Sequence, residues 1–327
     1  MEETGEFPKD SDIFEATRTI VIAMMQKVVY GEWLPAILGR EFVENPRNNL
    51  DLPMTGTTYD SNVNPTIENG FATAAFRFGH SMIQGLIEIR DHNSNEVLEE
   101  ARVRDDFFNA ENFVAPNGVD NLIFGLTQQP AARMDELVTE DVTNHLFQEP
   151  GSDHGGDLVA RNIQRGRDHG LPSYVAFYDK YFGDSKTSED MDCWGHRPST
   201  ISEANWDVLR TIYEHPHHID LFVGGLAETP VSGGLTGPVF NAIKLKQFYN
   251  LMFGDRFFFT HKDQPFSFTK DAQKHIMDRK LSDILCENTS LEKIPQNAFK
   301  LHDQDDNRYK TCSTSVTELD LGKINLL

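Results

Sequence analysis

Residues 69–89 constrain the fold more than any other stretch, because they are apolar nearly all round and yet carry a cation and an imidazole. They read NGFATAAFRFGHSMIQGLIEI. A segment without a polar face predicts a helix buried in a core. Arg77 and His80, three residues apart, would then project from one face about 5 Å from each other. Because a buried guanidinium is costly unless an anion meets it, the sequence predicts an acidic partner or an anionic ligand at Arg77.

A second segment, residues 155–174, reads GGDLVARNIQRGRDHGLPSY. The pattern predicts a helix over 156–169 that stops at Gly170. Asn162 and Arg165 lie three residues apart and so share one face of that helix. The segment carries three arginines, Arg161, Arg165 and Arg167, in a chain with a formal net charge of −21. Positive potential is therefore concentrated in one small region.

Simple structural alternatives exist for both segments: a core histidine beside a salt bridge in the first, and a solvated helix with ion pairs to Asp157 and Asp168 in the second. Taken together, however, two arginine-bearing helices, one with a buried histidine, suit a ligand that is flat, apolar and dicarboxylate. A haem has that chemistry, with iron for the imidazole and propionates for the guanidiniums.

The rest of the chain predicts a mainly α fold with long ordered loops. Apolar residues at helical spacing predict an amphipathic helix over 13–30, with Asp12 as its N-cap. Further helices are predicted over 119–129, 131–147, 203–214, 238–253 and 270–285, whereas the alternation typical of strands is hard to find. No repeat or linker divides the chain, so we expect a flexible N-terminus over 1–10 and a single domain over 11–327.

Composition excludes some classes of function. Thirty Lys and Arg face 51 Asp and Glu, which argues against a nucleic-acid binder or a protein bound to anionic membranes. We expect no membrane span, because no run of about 18 uncharged apolar residues exists. The first residues, MEETGEFPKD, have neither the basic nor the apolar region of a signal peptide.

Four strings together resemble the animal haem peroxidase family. They are AAFRFGHSMI around His80, NIQRGRDHGLPSY at 162–174, IDLFVGGLAE at 219–228 and GDRFFF at 254–259. Their order matches, and so does the segment at 13–39, so the resemblance covers nearly the whole chain from about residue 11. It implies a mainly helical fold around a buried haem b and oxidation of a small electron donor by hydrogen peroxide.

Carried over residue by residue, the resemblance makes His80 the proximal ligand of the haem iron. Asn162 resembles the amide that accepts the proton of the other imidazole nitrogen. Arg77 and Arg165 match arginines that pair with the propionates. Three further residues match positions that would tie the helix into the core, namely Arg167, Asp168 and His169.

The sequence also departs from the family. The distal catalytic His and Arg and the calcium-binding loop of the family precede the segment that resembles residues 13–39, so we expect an N-terminally truncated domain without these catalytic residues and without the calcium site. Arg161 stands where the family has an apolar residue. Three histidines, His215, His217 and His218, lie in a polar turn that suggests a solvated loop more than a metal site.

The cysteines bear on the compartment in which the protein works. There are three cysteines, too few for a disulfide scaffold. Cys286 and Cys312 match a family disulfide, which leaves Cys193 unpaired, and Asn288 begins the single N-glycosylation sequon. We therefore expect the complete protein to be secreted.

Two functions follow as hypotheses. The first is a haem peroxidase that oxidises donors with hydrogen peroxide, in the response to oxidative stress, with doubtful activity in this chain alone. The second is a non-catalytic haem-binding relic or an extracellular interaction module. A third reading, an unrelated acidic helical binding protein, requires both arginine motifs to be coincidental.

Overall fold

A computed structural model of the chain describes residues 9–39, 52–109, 115–183 and 194–318. Within these residues the protein is mainly α-helical with long loops, which confirms the predicted fold class. The α-helices are α1 Asp10–Val28, α2 Leu34–Leu38, α3 Asn69–Thr73, α4 Gly118–Gln128, α5 Glu140–Thr143, α6 Leu158–Asp168, α7 Tyr174–Phe182, α8 Glu203–Ile212, α9 Leu221–Ala227, α10 Pro238–Gly254, α11 Lys270–Asp278 and α12 Leu281–Asn288.

The first predicted helix is present, with a different start. It begins at Asp10 behind Lys9, so Asp12 lies inside the first turn instead of capping it, where its carboxylate still favours the positive end of the helix dipole. A π-helical turn, Val29–Trp33, joins α1 to α2. Much of the predicted apolar face is open to solvent, since Phe14 is 64% exposed. Residues 1–8 of the predicted flexible N-terminus lie outside the described residues.

The single buried helix predicted over 69–89 is wrong. The segment divides into α3, a 3₁₀ helix at Ala75–His80 and a strand, β1, at Leu86–Arg90. The α-helix ends at Ala74, whose φ of −135° and ψ of −73° lie outside the helical region. In β1 the apolar residues alternate with charged ones, so a strand pattern was present inside the apolar run.

The described residues include four strands, in segments where the sequence showed little alternation. β1 pairs antiparallel with β2, Val97–Arg102, with Leu86 opposite Arg102. β3, Lys293–Pro295, pairs antiparallel with β4, Tyr309–Thr311. β3 and β4 have three residues each, too few to produce a periodic signal.

The predicted helices elsewhere agree with α4, α6, α8 and α10 to within about two residues. The helix predicted over 131–147 is wrong except for α5, because its apolar residues do not form one buried face: Leu137 is 73% exposed. The helix predicted over 270–285 divides into α11 and α12 at Arg279, which is extended.

The main core forms around α9 and α10. α10 is buried on several sides, with Phe240 and Ile243 at most 1% exposed. Two adjacent glycines of α9 allow its close approach: a Cβ on Gly224 would lie 2.2 Å from Tyr174, and one on Gly225 would lie 2.1 Å from Phe240. The GG pair therefore reflects packing of α9 between α7 and α10.

A smaller cluster lies at the C-terminal side, where Phe124, Leu291 and Ile294 pack beside a disulfide. Cys286 and Cys312 form that disulfide with Cα atoms 5.2 Å apart, which confirms the predicted pairing. Cys193 lies outside the described residues.

One stretch of the described chain, Asp10–Leu38, is long and apolar enough to cross a membrane by length and composition. Its most apolar window of 18 residues has a mean hydropathy of 1.2, and 39% of that window is buried within the protein. It also contains the ion pair between Lys27 and Glu32, both buried. A helix of a soluble core meets the same criterion.

Candidate haem site

Arg77 and His80 both lie on a 3₁₀ helix. Ala75–His80 has about three residues per turn, so Arg77 and His80 lie directly above one another. The predicted sharing of one face therefore holds, although the helix type differs. His80 is partly buried, and Phe76, one turn earlier, is 46% exposed.

Asn162 on α6 joins both residues. Its amide is completely buried. The Asn162 Nδ2 lies 2.8 Å from His80 Nδ1, and the Asn162 Oδ1 accepts a hydrogen bond of 2.7 Å from Arg77 Nη1. The expected approach of His80 and Asn162 is confirmed at a distance typical of a hydrogen bond. The atom that faces the imidazole is the amide nitrogen, whereas the resemblance predicted the amide oxygen.

The local sequence of α6 explains why Asn162 reaches inward. Asp157 caps the helix, since its side chain accepts a hydrogen bond of 2.9 Å from the backbone N–H of Ala160. The helix ends before Gly170, whose φ of +63° requires the left-handed region. Asn162 is the one buried residue of this strongly amphipathic helix, so its amide is the polar group that α6 brings to the interface.

The electrostatics keep the imidazole neutral. Burial first, and then the positive charge of Arg77, lower the pKa of His80 below its ordinary value of 6.5. Burial and the positive charge of Arg165 lower the pKa of Arg77. A neutral imidazole is the form that binds a metal.

The positive charges of Arg77 and Arg165 are poorly balanced by acidic side chains among the described residues. Arg77 donates to the Ala72 carbonyl and to Asn162, and has no acidic partner among the described residues. Arg165 has a single ion pair, to Asp168 at 3.5 Å, and both side chains are more than half exposed. Solvent screens such a pair strongly, so a net positive patch remains beside His80.

The neighbouring motif residues play other parts. Arg167 makes two hydrogen bonds to Asp220, of 2.9 Å and 2.8 Å, and so ties α6 to the start of α9. His169 Nδ1 lies 3.3 Å from the Asn69 Oδ1. Arg161 is exposed and lies against Gly156. Arg167 and His169 thus contact residues outside α6, whereas Asp168 forms an ion pair with Arg165 of the same helix.

The histidine-rich turn is a capped 3₁₀ segment. His215 accepts a hydrogen bond from the backbone N–H of His217, and their rings stack with centroids 5.4 Å apart. Across the part of the chain that the structure describes, no group of three or more His, Cys, Asp or Glu side chains could hold a metal ion.

Sequence reasoning missed an aromatic cluster that includes Phe76, four residues before His80. Phe76 stacks on Phe71 with ring centroids 4.5 Å apart and meets the edge of Trp33 at 5.9 Å. Phe71 is buried, whereas Phe76 is 46% exposed. Phe71 and Phe76 stand in one short segment of the sequence, but Trp33, at the end of the π-helical turn, meets Phe76 only in the folded chain.

The fold and these groups define a mainly helical protein in which a neutral, partly buried imidazole meets a buried amide beside two arginines. A family model described as "Animal haem peroxidase" matches residues 4–299. The chain belongs to the animal haem peroxidase family.

Individual comparisons agree. The chain is 33% identical over 314 residues to thyroid peroxidase of Sus scrofa, covering 95% of this chain and 32% of that protein. It is 33% identical to peroxidase-like protein 3 of Lottia gigantea, covering 88% and 90%. Among solved structures, peroxidase A of Dictyostelium discoideum superposes with a TM-score of 0.69 at 28% identity, over 92% of this chain and 52% of that one. The chain thus spans about a third of thyroid peroxidase and about half of the solved peroxidase.

Proposed function

We propose that the chain binds haem b and that His80 would hold its iron through Nε2. The observation that carries this is the buried amide of Asn162, which joins the imidazole to Arg77. A ligand histidine almost always has its second ring nitrogen engaged by a neighbouring polar group, which sets the orientation of the ring.

The residues fit such a group. His80 uses Nδ1 in its hydrogen bond to Asn162, and its Nε2 makes no hydrogen bond with any residue that the structure describes. Phe76, four residues before His80, is 46% exposed and offers apolar surface for a flat macrocycle. Arg77 and Arg165 supply the positive charge for two propionates.

When bound, the haem supplies the redox-active iron on which peroxide is reduced. We propose that the chain serves a peroxidase-type oxidoreductase that oxidises small donors with hydrogen peroxide, in the response to oxidative stress. In this proposal the residues of this chain hold and orient the group: His80 binds the iron, and Asn162 fixes the orientation of the imidazole ring.

The first experiment is a haem titration of the purified chain, followed by its Soret absorbance. We expect His80→Ala to abolish specific binding and His154→Ala, which removes an exposed histidine, to leave it unchanged. In His80→Gly, added imidazole should restore the spectrum of a histidine ligand. Binding that survives His80→Ala with an unchanged spectrum would exclude His80 as the ligand.

The second experiment tests the propionate contacts. Arg77→Met and Arg165→Met should each weaken the binding of haem about tenfold, because each removes a charge-assisted hydrogen bond worth roughly 1.5–3 kcal/mol. Haem dimethyl ester has no carboxylates, so its affinity should differ much less between wild type and variants. An equal loss for both ligands would contradict the assignment.

We also propose that the protein works in an oxidising compartment. The disulfide between Cys286 and Cys312 supports this, because such bonds persist mainly in exported proteins. Mass spectrometry of the protein isolated from its natural source, with thiols blocked before lysis, tests it. Recovery of both cysteines as free thiols would contradict export.

A further inference from the structure

We propose that Arg77 controls the tautomer of His80 through Asn162, so that an anion bound at Arg77 makes the Nε2 of His80 available to iron. The inference rests on the proposed function and deepens it. It assigns Arg77 a positioning role in addition to a contact with a propionate.

The hydrogen-bond chemistry of the three groups is directional. A guanidinium only donates, so the oxygen of the Asn162 amide must face Arg77. The amide nitrogen is then left to face His80, at 2.8 Å from Nδ1. An amide NH₂ also only donates, so Nδ1 must accept. A neutral imidazole that accepts at Nδ1 carries its proton on Nε2.

That tautomer is the wrong one for a ligand. A protonated Nε2 has no lone pair to give to iron. For Nε2 to bind, its proton must pass to solvent while Nδ1 takes up another, which leaves the charge of the ring unchanged. The new N–H of Nδ1 then needs an acceptor, and a half-turn of the Asn162 amide provides one by bringing Oδ1 to His80.

Arg77 opposes this half-turn as long as it points at Asn162. After the rotation the amide nitrogen would face the guanidinium, donor against donor. Asn162 is fully buried and makes no other side-chain hydrogen bond to a described residue, so water does not relieve the conflict. A carboxylate is a stronger acceptor for a guanidinium than a neutral amide oxygen is. An anion that draws Arg77 away therefore releases the amide.

The surroundings favour such an anion. Burial first, and then the positive charge of Arg165, lower the pKa of Arg77, as expected for two cations close together. A carboxylate between them removes their repulsion. Propionate binding and iron binding are thus coupled through one amide, and each strengthens the other.

The test uses the haem-free chain, so its result does not depend on haem binding. Histidine labelled with ¹⁵N in the ring distinguishes a protonated from an unprotonated nitrogen by its chemical shift, and His80→Gln assigns the signals. At mildly alkaline pH, where His80 is neutral, we expect an unprotonated Nδ1 and a protonated Nε2 in the wild type. In Asn162→Asp, whose carboxylate only accepts, Nδ1 should carry the proton.

Arg77→Met is the decisive variant, because it frees the amide while leaving Asn162 and His80 in place. Its Nδ1 signal should move part of the way toward the protonated position, and Arg77→Lys, which keeps a donor, should restore the wild-type signal. Arg165→Met is the matched control and should not move it. A protonated Nδ1 in the wild type, or equal spectra for wild type and Arg77→Met, would overturn the inference while leaving His80 as a ligand untouched.

Discussion

Arg167 and Asp220, 53 residues apart in the chain, meet through two parallel hydrogen bonds between guanidinium and carboxylate. The hydroxyl of Tyr213 donates a third hydrogen bond, of 2.8 Å, to the same carboxylate. The Asp220 side chain is 13% exposed, whereas that of Arg167 is 57% exposed. This carboxylate holds the end of α6, and with it Asn162, against α9.

Because Asp220 is more buried than Arg167, we expect its substitution to lower the free energy of unfolding more. Asp220→Asn should lower the free energy of unfolding by roughly 2–3 kcal/mol, because it leaves donors facing an amide in a mostly buried place. Arg167→Met should cost less, about 1 kcal/mol, since solvent screens the exposed guanidinium. Urea unfolding measures both, with Arg165→Met as a control of little effect. A larger loss for Arg167→Met than for Asp220→Asn would refute this account.

Glu228 predicts a pH-dependent stability. Burial raises its pKa from 4.5 to about 7, although hydrogen bonds from the Val239 N–H and the Tyr174 hydroxyl, each 2.9 Å, oppose the shift. Between these pH values the folded state keeps a proton on Glu228 that the unfolded state releases. The free energy of unfolding therefore decreases as pH rises from 4.5 to about 7. Chemical unfolding across this range should show a smaller loss of stability in Glu228→Gln than in wild type. Glu203→Gln, at an exposed site, should keep the wild-type slope, and an unchanged slope in Glu228→Gln would contradict the prediction.

Lys244 predicts a trend of the opposite sign. It is completely buried on α10, donates to the hydroxyl of Thr236 and lies 4.1 Å from the ring centroid of Phe78. Burial lowers its pKa well below 10.5. The unfolded state thus binds a proton that the folded state does not, so stability increases as pH rises toward 10.5.

Lys244→Met should remove this trend and be at least as stable as wild type at neutral pH. Thr236 keeps a partner in the variant, because its hydroxyl also donates to Asn241. Thermal unfolding between neutral and alkaline pH measures the effect. Lys246→Met, two residues further along the same helix, is the control that should keep the trend, and a strongly destabilised Lys244→Met would show that the amine is charged and paired.

The disulfide has a measurable effect on stability. Cys286 and Cys312 are separated by 26 residues, and closing a loop of that size restricts the unfolded chain by about 3.5 kcal/mol. The double variant Cys286→Ser/Cys312→Ser should lose about that much stability in denaturant unfolding. A reductant should lower the stability of wild type and leave the variant unchanged. Equal responses to the reductant would contradict the assignment.

Much of the fold was predictable where a helix carries apolar residues at helical spacing over several turns. This spacing predicted the bounds of α6 and α8, which each bury one face, and of α10, which is buried on several sides. The segments that failed owe their structure to contacts distant in sequence. Strand β1 is stabilised by its pairing with β2. The carboxylate of Asp141 in the short helix α5 forms ion pairs with Arg102 and Arg104, which are distant in sequence.

The candidate site divides in the same way. Arg77 was visible in the sequence as a cation in an apolar segment, where it needs an anion, and Arg165 as one of three arginines close together in an acidic chain. The meeting of His80 with Asn162, 82 residues away, came from the family resemblance. The orientation of the Asn162 amide was not predictable, because it depends on which hydrogen-bond donor lies next to its oxygen in the folded chain.

The winding of the Ala75–His80 segment has a consequence for what the protein can tolerate. Over three residues a 3₁₀ helix completes a full circle, whereas an α-helix falls short by about 60°. Any change that relaxes this segment to the wider winding would swing His80 away from Arg77 by that angle and aim the imidazole past Asn162. The contacts among Arg77, His80 and Asn162 thus depend on the angle between the two side chains around the helix axis, and keeping the same residues does not by itself preserve that angle.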